Sequence, residues 1–237
     1  MKDLFGKAML DFYTNNNFEN IITETSISEP DEMEIDYMFR NFADMPSIEQ
    51  RALSLCCGNV LDVGCGAGSH ALYLQNNKKL NITAIDFSEN AIKTCKLRSL
   101  QNAHVANFFT FQSDTKFDTI LLLMNGTGIC GKLCNLPNFL QKLKSLLAVD
   151  GQILIDSTDI SYMYDIDKNG AIILPFKMEY LGELEFFLNY KNEKEFPFYW
   201  LYLDFETLKT ACKLHGFSCE LVLEGDNSTY LAKIKLA

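Results

Sequence analysis

In the stretch Val60-Leu61-Asp62-Val63-Gly64-Cys65-Gly66-Ala67-Gly68-Ser69 a short apolar run meets an acid. Glycines then follow at alternate positions, and a helical pattern begins. Glycines there let the backbone turn sharply and let a ligand come up against the main chain, because no Cβ stands in the way. The run Ile82-Thr83-Ala84-Ile85 ends in a second acid, Asp86. A carboxylate at a strand tip is suited to gripping the two hydroxyls of a ribose. Together the two segments imply a cofactor that contains adenosine. The plainer reading, that Asp62 and Asp86 are helix-cap or loop acids, leaves the glycine spacing unexplained.

Which cofactor is bound decides the chemistry. A nicotinamide fingerprint needs G-x-G-x-x-G/A. Here the glycines are Gly64, Gly66 and Gly68, and Ser69 stands where the last small residue belongs. None of His70, His104 and His215 reads as a hydride-transfer acid. His70 falls in the first turn after the glycines, where packing or capping is the usual role, and the other two read as surface or element-end residues. An NAD-dependent oxidoreductase is therefore the runner-up.

The elements that must position these residues can be traced along the chain. Phe5, Met9, Phe12 and Tyr13 recur at helical spacing. Glu29-Pro30-Asp31-Glu32 reads as a loop and helix start. Tyr37, Met38, Phe39 and Phe42 form an apolar cluster around Arg40, and a helix opens near Pro46 and stops at Gly58. Strands then alternate with helices: Val60–Val63, a helix from Ser69 to about Asn77, Ile82–Ile85, a helix capped by Ser88, a weak strand at Ala103–Ala106, and Phe117–Met124. The last is apolar on both faces, as a central parallel strand should be. A helix over Pro137–Ala148, a turn at Asp150-Gly151 and a strand at Gln152–Ile155 follow. This alternation predicts a doubly wound sheet. From Ala171 to Tyr202 the pattern becomes long alternation, with Phe176, Met178, Tyr180, Leu184, Phe186, Leu188 and Tyr190 on one face and a turn at Lys191–Lys194. A helix from Asp204 to His215 and a hairpin, Phe217–Leu223 with Thr229–Ile234, close the chain.

The chain has 237 residues, is 48% hydrophobic and carries a net charge of −10 without a basic run. That size supports one sizeable α/β core. The charge disfavours nucleic acid as a partner. No apolar signal region follows Met1 and no run approaches a membrane span, so a cytoplasmic protein with no membrane association is expected. The eight cysteines match no zinc spacing and read as reduced, small hydrophobes. No His, Cys or carboxylate cluster has metal-ligand spacing, and no metal is expected.

Residues 57–160 resemble the class I S-adenosylmethionine-dependent methyltransferases, and residues 204–236 match them in topology. The resemblance rests on Asp62-Val63-Gly64-Cys65-Gly66-Ala67-Gly68, on Asp86, on Leu123-Met124-Asn125-Gly126 and on Leu146–Ile155. It implies S-adenosylmethionine as cofactor and S-adenosylhomocysteine as product. It also implies an α/β fold with a mostly parallel, seven-stranded, Rossmann-like sheet whose closing hairpin contributes an antiparallel strand. Gly64 and Gly66 would pass close to the methionine part, Cys65 and Gly68 of the same loop would also be cofactor-binding, and Asp62 would fix the loop and reach the ammonium through water. Asp86 would bind the ribose with Phe87 beside the adenine. The family often places an acid after its third strand to accept from the adenine amino group. This chain has Asn107 there, whose amide oxygen can also accept, and Phe108, which could pack on the ring. Met124 would lie nearest the reactive methyl, and Asn125 would orient the acceptor, although Asn-Gly is equally a common turn pair.

Four segments follow from this reading: an N-terminal helical cover (1–56), a cofactor-binding core (57–160), a β-rich aromatic insertion (161–203) and a closing helix and hairpin (204–237). Within the cover, Arg40 sits beside Tyr37 in apolar surroundings where a bare cation is costly, so it needs an anionic partner. The candidates are the cofactor carboxylate, with Tyr37 as a neighbouring lid residue, or an ion pair with an acid such as Asp36 or Glu34. Asp156, Ser157, Thr158 and Asp159 should face the acceptor. The aromatic insertion either roofs that region or makes a homodimer interface. An acidic chain with an aromatic roof favours a small-molecule acceptor, apolar or cationic. A non-catalytic cofactor-binding scaffold and an RNA or protein methyltransferase are the remaining alternatives.

Overall fold

The computed structural model describes residues 2–169, 171–173 and 178–237. The chain opens with α1 (Leu4–Tyr13), a hairpin of β1 (Ile21–Thr25) and β2 (Ser28–Met33), and α2 (Ser47–Leu55). The core follows as β3 (Asn59–Val63), α3 (Ser69–Tyr73), β4 (Asn81–Asp86), α4 (Glu89–Leu97), β5 (Ala103–Val105), β6 (Phe117–Leu122), α5 (Leu136–Leu146) and β7 (Leu147–Thr158). Then come β8 (Glu183–Tyr190), β9 (Glu193–Lys194), β10 (Phe198–Leu201), α6 (Phe205–Leu214), β11 (Phe217–Glu224) and β12 (Thr229–Leu236).

The main sheet has seven strands in the order β11-β12-β7-β6-β3-β4-β5. Strands β3 to β7 pair in parallel, and β12 runs antiparallel between β7 and β11. This is the mostly parallel α/β sheet that the alternation predicts, and the closing hairpin does insert beside β7. The side-chain period of two divides the apolar residues between the faces. Ile120, Leu122, Ile153 and Ile155 meet Phe139, Leu140 and Leu143 of α5 and Leu208 of α6. Leu121 and Leu154 meet Ala52 and Leu53 of α2, Ala71 of α3 and Ile92 of α4. With both faces covered, the central strands lie where their C-terminal tips can carry a site.

Three segments differ from the sequence reading. The cover that reads as helical over residues 1–56 also contains β1 and β2, and Glu29-Pro30-Asp31-Glu32 lies in β2 rather than at a helix start. Strand β1 pairs with β8, so the cover and the aromatic insertion build one antiparallel sheet, β10-β8-β1-β2, with β9 on β8. Strand β2 has no apolar side chain but Pro30 before its last residue, Met33, and lies at the sheet edge, where Pro30 costs no ladder bond. It therefore has no alternation to betray it. Asp150-Gly151, read as a turn, lies inside β7, where the pairing with β6 shifts register between Phe117 and Thr119. Before Glu183 the long alternation is not strand among the described residues, apart from one bridge between Ile166 and Ile172. Phe176 lies outside the described residues.

Helix α1 is fastened over the core. Glu195 accepts from the Lys2 and Leu4 amides at 2.7 and 3.2 Å, and Asp3 accepts from the Asn90 amide at 3.1 Å. A Cβ on Gly6 would stand 2.0 Å from Ser88 Oγ, so the glycine lets α1 lie directly on the start of α4. No described helix is long and apolar enough to cross a membrane. Among the described residues no group of three His, Cys, Asp or Glu side chains could hold a metal ion.

Candidate active site

Strand β3 delivers Asp62 into the interior, where it is 2% exposed. Burial pushes its carboxyl up to about 6, against the opposing pull of the His70 imidazole and the Ala71 amide. Its Oδ2 has no hydrogen-bond partner among the described residues. A buried carboxylate oxygen left this way costs stability unless a ligand supplies a donor.

The loop beyond it is tied to β4, because the Gly64 and Cys65 amides donate to the Ile85 carbonyl at 2.8 and 3.1 Å. Gly66 has φ +52°. A Cβ there would meet only Met9 Sδ, 3.8 Å away, so the main chain is bare beneath α1. Gly68, at φ +82°, packs so closely on Cys95 that a Cβ would come within 2.9 Å of its sulfur. The Cys65 thiol turns inward to within 3.9 Å of Cys95 Sγ, so this residue offers the site its backbone.

Asp86 caps the other side. Its Oδ2 accepts from the Gly66 amide and its Oδ1 from the Ser88 amide, both at 2.9 Å. Burial raises its pKa and those amides oppose the rise. Phe87 follows, 57% exposed. The next two expected residues sit differently. The Asn107 oxygen accepts from the Phe109 amide at 2.9 Å, closing a turn of its own loop. Phe108 is a core residue whose ring lies 5.4 Å from that of Phe139, so it is not an open platform. Of these aromatics it is Phe87 that stands exposed beside Asp86.

At the tip of β6, Met124 and Asn125 both take left-handed backbone conformations (φ +65° and +60°). Such residues cost of order 1–3 kcal/mol each and persist only where the surroundings impose them. Asp156 of β7 imposes them by accepting from the Met124 and Gly126 amides at 3.1 and 2.9 Å. Burial pushes the Asp156 carboxyl up to about 6. The Asn125 amide group is engaged at both ends, accepting from Ser157 Oγ (2.9 Å) and donating to the Leu201 carbonyl (3.3 Å). It therefore ties β6 to β7 and β10, and positions the loop that carries Met124.

Arg40 pairs with neither Asp36 nor Glu34. Its guanidinium meets Glu49 of α2, and the same carboxylate accepts from His70 Nε2 at 2.6 Å. Arg40 and His70 together hold Glu49 below the usual carboxylate range despite its burial. The guanidinium also lies 3.9 Å over the Tyr37 ring. Yet Arg40 Nε is buried without a hydrogen-bond partner among the described residues. Glu49 and His70 carry no spacing signal in the sequence, since α2 and α3 bring them together only in the fold. His70 therefore links the two orphan groups: it bonds the carboxylate that holds Arg40, and it opposes the rise in the Asp62 pKa.

A buried carboxylate oxygen lacking a donor and a buried guanidinium nitrogen lacking an acceptor complement the ammonium and carboxylate of an α-amino acid. Asp86 and Phe87 lie beside the same glycine loop with groups suited to a ribose and an adenine. The donor set thus fits a methionine joined to adenosine.

The methyltransferase domain family matches residues 58–195. A crystal structure of an S-adenosylmethionine-dependent methyltransferase from Bacteroides fragilis, in complex with S-adenosyl-L-homocysteine, is 39% identical. The match covers all of this chain and 95% of that one, with a TM-score of 0.91. The probable (S)-tetrahydroprotoberberine N-methyltransferase 2 of Papaver bracteatum is 30% identical over 41% of this chain and only 28% of its own length. A methyltransferase structure from Clostridium acetobutylicum shares the fold at 17% identity and a TM-score of 0.60, over 85% of this chain and 96% of that one. This chain belongs to the class I S-adenosylmethionine-dependent methyltransferases, and S-adenosylmethionine is its cofactor.

Proposed function

We propose that the chain methylates a small-molecule acceptor held between the tips of β6 and β7 and the sheet β10-β8-β1-β2. Carrying the proposal are two buried orphan atoms of opposite demand, Asp62 Oδ2 at the head of the glycine loop and Arg40 Nε, whose guanidinium is linked to the helix after that loop through Glu49 and His70. Asp62 holds the cofactor ammonium and Arg40 its carboxylate. The main chain of Gly64, Cys65, Gly66 and Gly68 lies along the methionine. Asp86 holds the ribose, and Phe87, with the Asn107 loop, flanks the adenine. Tyr37 closes the mouth beside Arg40.

When bound, S-adenosylmethionine supplies a methyl group already activated as a sulfonium, so the protein has mainly to align the acceptor and exclude water. Met124 lies nearest the reacting centre, and Asp156 with Asn125 fixes its backbone. Met9 covers Gly66 from α1 and keeps solvent off the loop. The resemblance to a plant N-methyltransferase over part of the chain supports an acceptor of metabolite size. So does the partly exposed aromatic row of Phe186, Phe198, Trp200 and Tyr202.

Calorimetric titration of S-adenosylhomocysteine and NAD into the wild type and Asp62→Asn, followed by a screen of small amines and phenols for S-adenosylhomocysteine release, tests the reading. Saturable binding of the sulfur nucleotide alone, weakened in the variant, with turnover on a small acceptor, is expected. Binding of NAD alone would overturn the cofactor assignment, and turnover confined to protein or RNA acceptors would overturn the substrate class.

A further inference from the structure

Beside the glycine loop a cleft of about 600 Å³ opens between the segment Arg40–Ala43, the turns from Ser69 to Asn77 and the end of α4. No lining residue is acidic, in a chain whose net charge is −10. Two arginines, Arg40 and Arg98, stand in its walls together with Asn41, Asn76 and Asn77. Arg40 is neutralised by Glu49. Arg98 is not neutralised, since no carboxylate pairs with it among the described residues. Burial lowers its pKa.

The Arg98 guanidinium is nonetheless held in place. Its Nη1 donates to the Ala67 carbonyl (2.6 Å) and to Ser69 Oγ (3.1 Å), and the group lies 4.9 Å over the Phe39 ring. Nη2 and Nε have no protein acceptor among the described residues. Asn76 keeps its NH2 available, because its Oδ1 is taken by Gln75 Nε2 at 3.1 Å. One wall is apolar, where Tyr73 stacks on Phe42 at 4.2 Å. A planar guanidinium fixed at one end, amide donors nearby and a flat aromatic wall together suit an oxyanion attached to a small ring or chain.

We propose that this cleft binds a small organic anion, a carboxylate or phosphate ester, through Arg98. The binding itself does not depend on the methyltransferase reading. Its consequence does: Arg98 is bonded to Ala67 and Ser69 of the cofactor loop, so an occupant shares a free energy of coupling with the cofactor, and the coupling is reciprocal. Two sources fit the chemistry, an anionic arm of the methyl acceptor or a separate effector.

The probes are phenyl phosphate, benzoate and, as the uncharged control, benzyl alcohol. Each is titrated by calorimetry and protein NMR into the full chain, with and without S-adenosylhomocysteine. The variants are Arg98→Met and Asn77→Leu. The second replaces a side chain that makes no hydrogen bond among the described residues, so it keeps the test open should Arg98→Met fail to fold. Saturable binding of at least one anion is expected, weakened about tenfold in Arg98→Met and measurably in Asn77→Leu, as loss of a charge-assisted contact implies. Benzyl alcohol should not bind. Anionic acceptors whose KM rises in Asn77→Leu identify an acceptor arm, whereas an anion that shifts S-adenosylhomocysteine affinity without being methylated identifies an effector. No saturable binding by either anion, or binding unchanged in both folded variants, overturns the proposal even if methyl transfer is established.

Discussion

Lowering the pH from 7 to 5 should weaken S-adenosylhomocysteine binding about tenfold, through Asp62. In the free protein burial places this carboxyl at about 6. It is mostly ionised at pH 7 and mostly protonated at pH 5. An ammonium beside it requires the ionised form, so affinity is lost as the pH falls through about 6, by a factor of roughly ten between those two values. The same displacement acts on the fold with the opposite sign. A folded-state pKa raised from 3.8 to about 6 means that the ionised group costs the free protein up to about 3 kcal/mol at neutral pH, relieved as the pH falls from about 6 toward 4. Asp62→Asn should therefore raise the unfolding midpoint of the free protein while weakening S-adenosylhomocysteine at pH 7. Calorimetric titration across this range, with methylthioadenosine as the ligand lacking the amino-acid part, separates Asp62 from other titrating groups. His70 and Asp86 also act on this carboxylate, and both remain in the variant. A wild-type pH slope in Asp62→Asn, or the same slope for methylthioadenosine as for S-adenosylhomocysteine, would refute this role for Asp62.

Three further outcomes follow from the geometry. Glu49→Gln strips the counter-charge from Arg40, whose side chain is 6% exposed, and should cost about 3–5 kcal/mol in urea unfolding; a loss below about 1 kcal/mol would show that the pair is not held from solvent. Asp156→Ala removes the acceptor for the Met124 and Gly126 amides, so kcat should fall at least tenfold with KM for the cofactor changed less, as for a group acting in the transition state. An unchanged kcat with a raised KM would place that loop on the cofactor instead. Gly128→Ala would put a Cβ 1.9 Å from Trp200 Cε2, and since Trp200 is the sole tryptophan, its emission should shift and the unfolding midpoint should fall; unchanged emission would mean that the turn moves and leaves the indole in place.

Elements with a strict period are the ones legible in the chain. Val60–Val63, Ile82–Ile85 and Phe117–Leu122 announce themselves as buried parallel strands, and the Gly64, Gly66, Gly68 spacing with Asp62 and Asp86 marks the cofactor end of the site. What escapes has no local signature. The β2 segment Ser28–Met33 is a polar edge strand recognisable only through β1, which is paired in turn by β8 from far along the chain. Glu49 looks like an ordinary first-turn helix acid, and only tertiary packing of α2 on α3 brings it to His70 and Arg40. Phe108 and Phe109 show the remaining limit: two adjacent aromatics give no hint of which will turn into the core.

The placement of β12 bears on how the protein is made. Residues 229–236 form an interior strand of the main sheet, so β7 presents an open, strongly apolar edge until they have been synthesised. The pairing of Ile22 with Asn189 imposes a similar wait at the other end. At ordinary elongation rates that interval is on the order of ten seconds, during which β1 has no partner from β8. A nascent chain that stops short of residue 229 therefore carries an unfinished sheet into a crowded solution, where another β edge can pair with it. Chaperone occupancy on the ribosome, and the solubility of products that lack residues 229–236, should accordingly follow this one late strand.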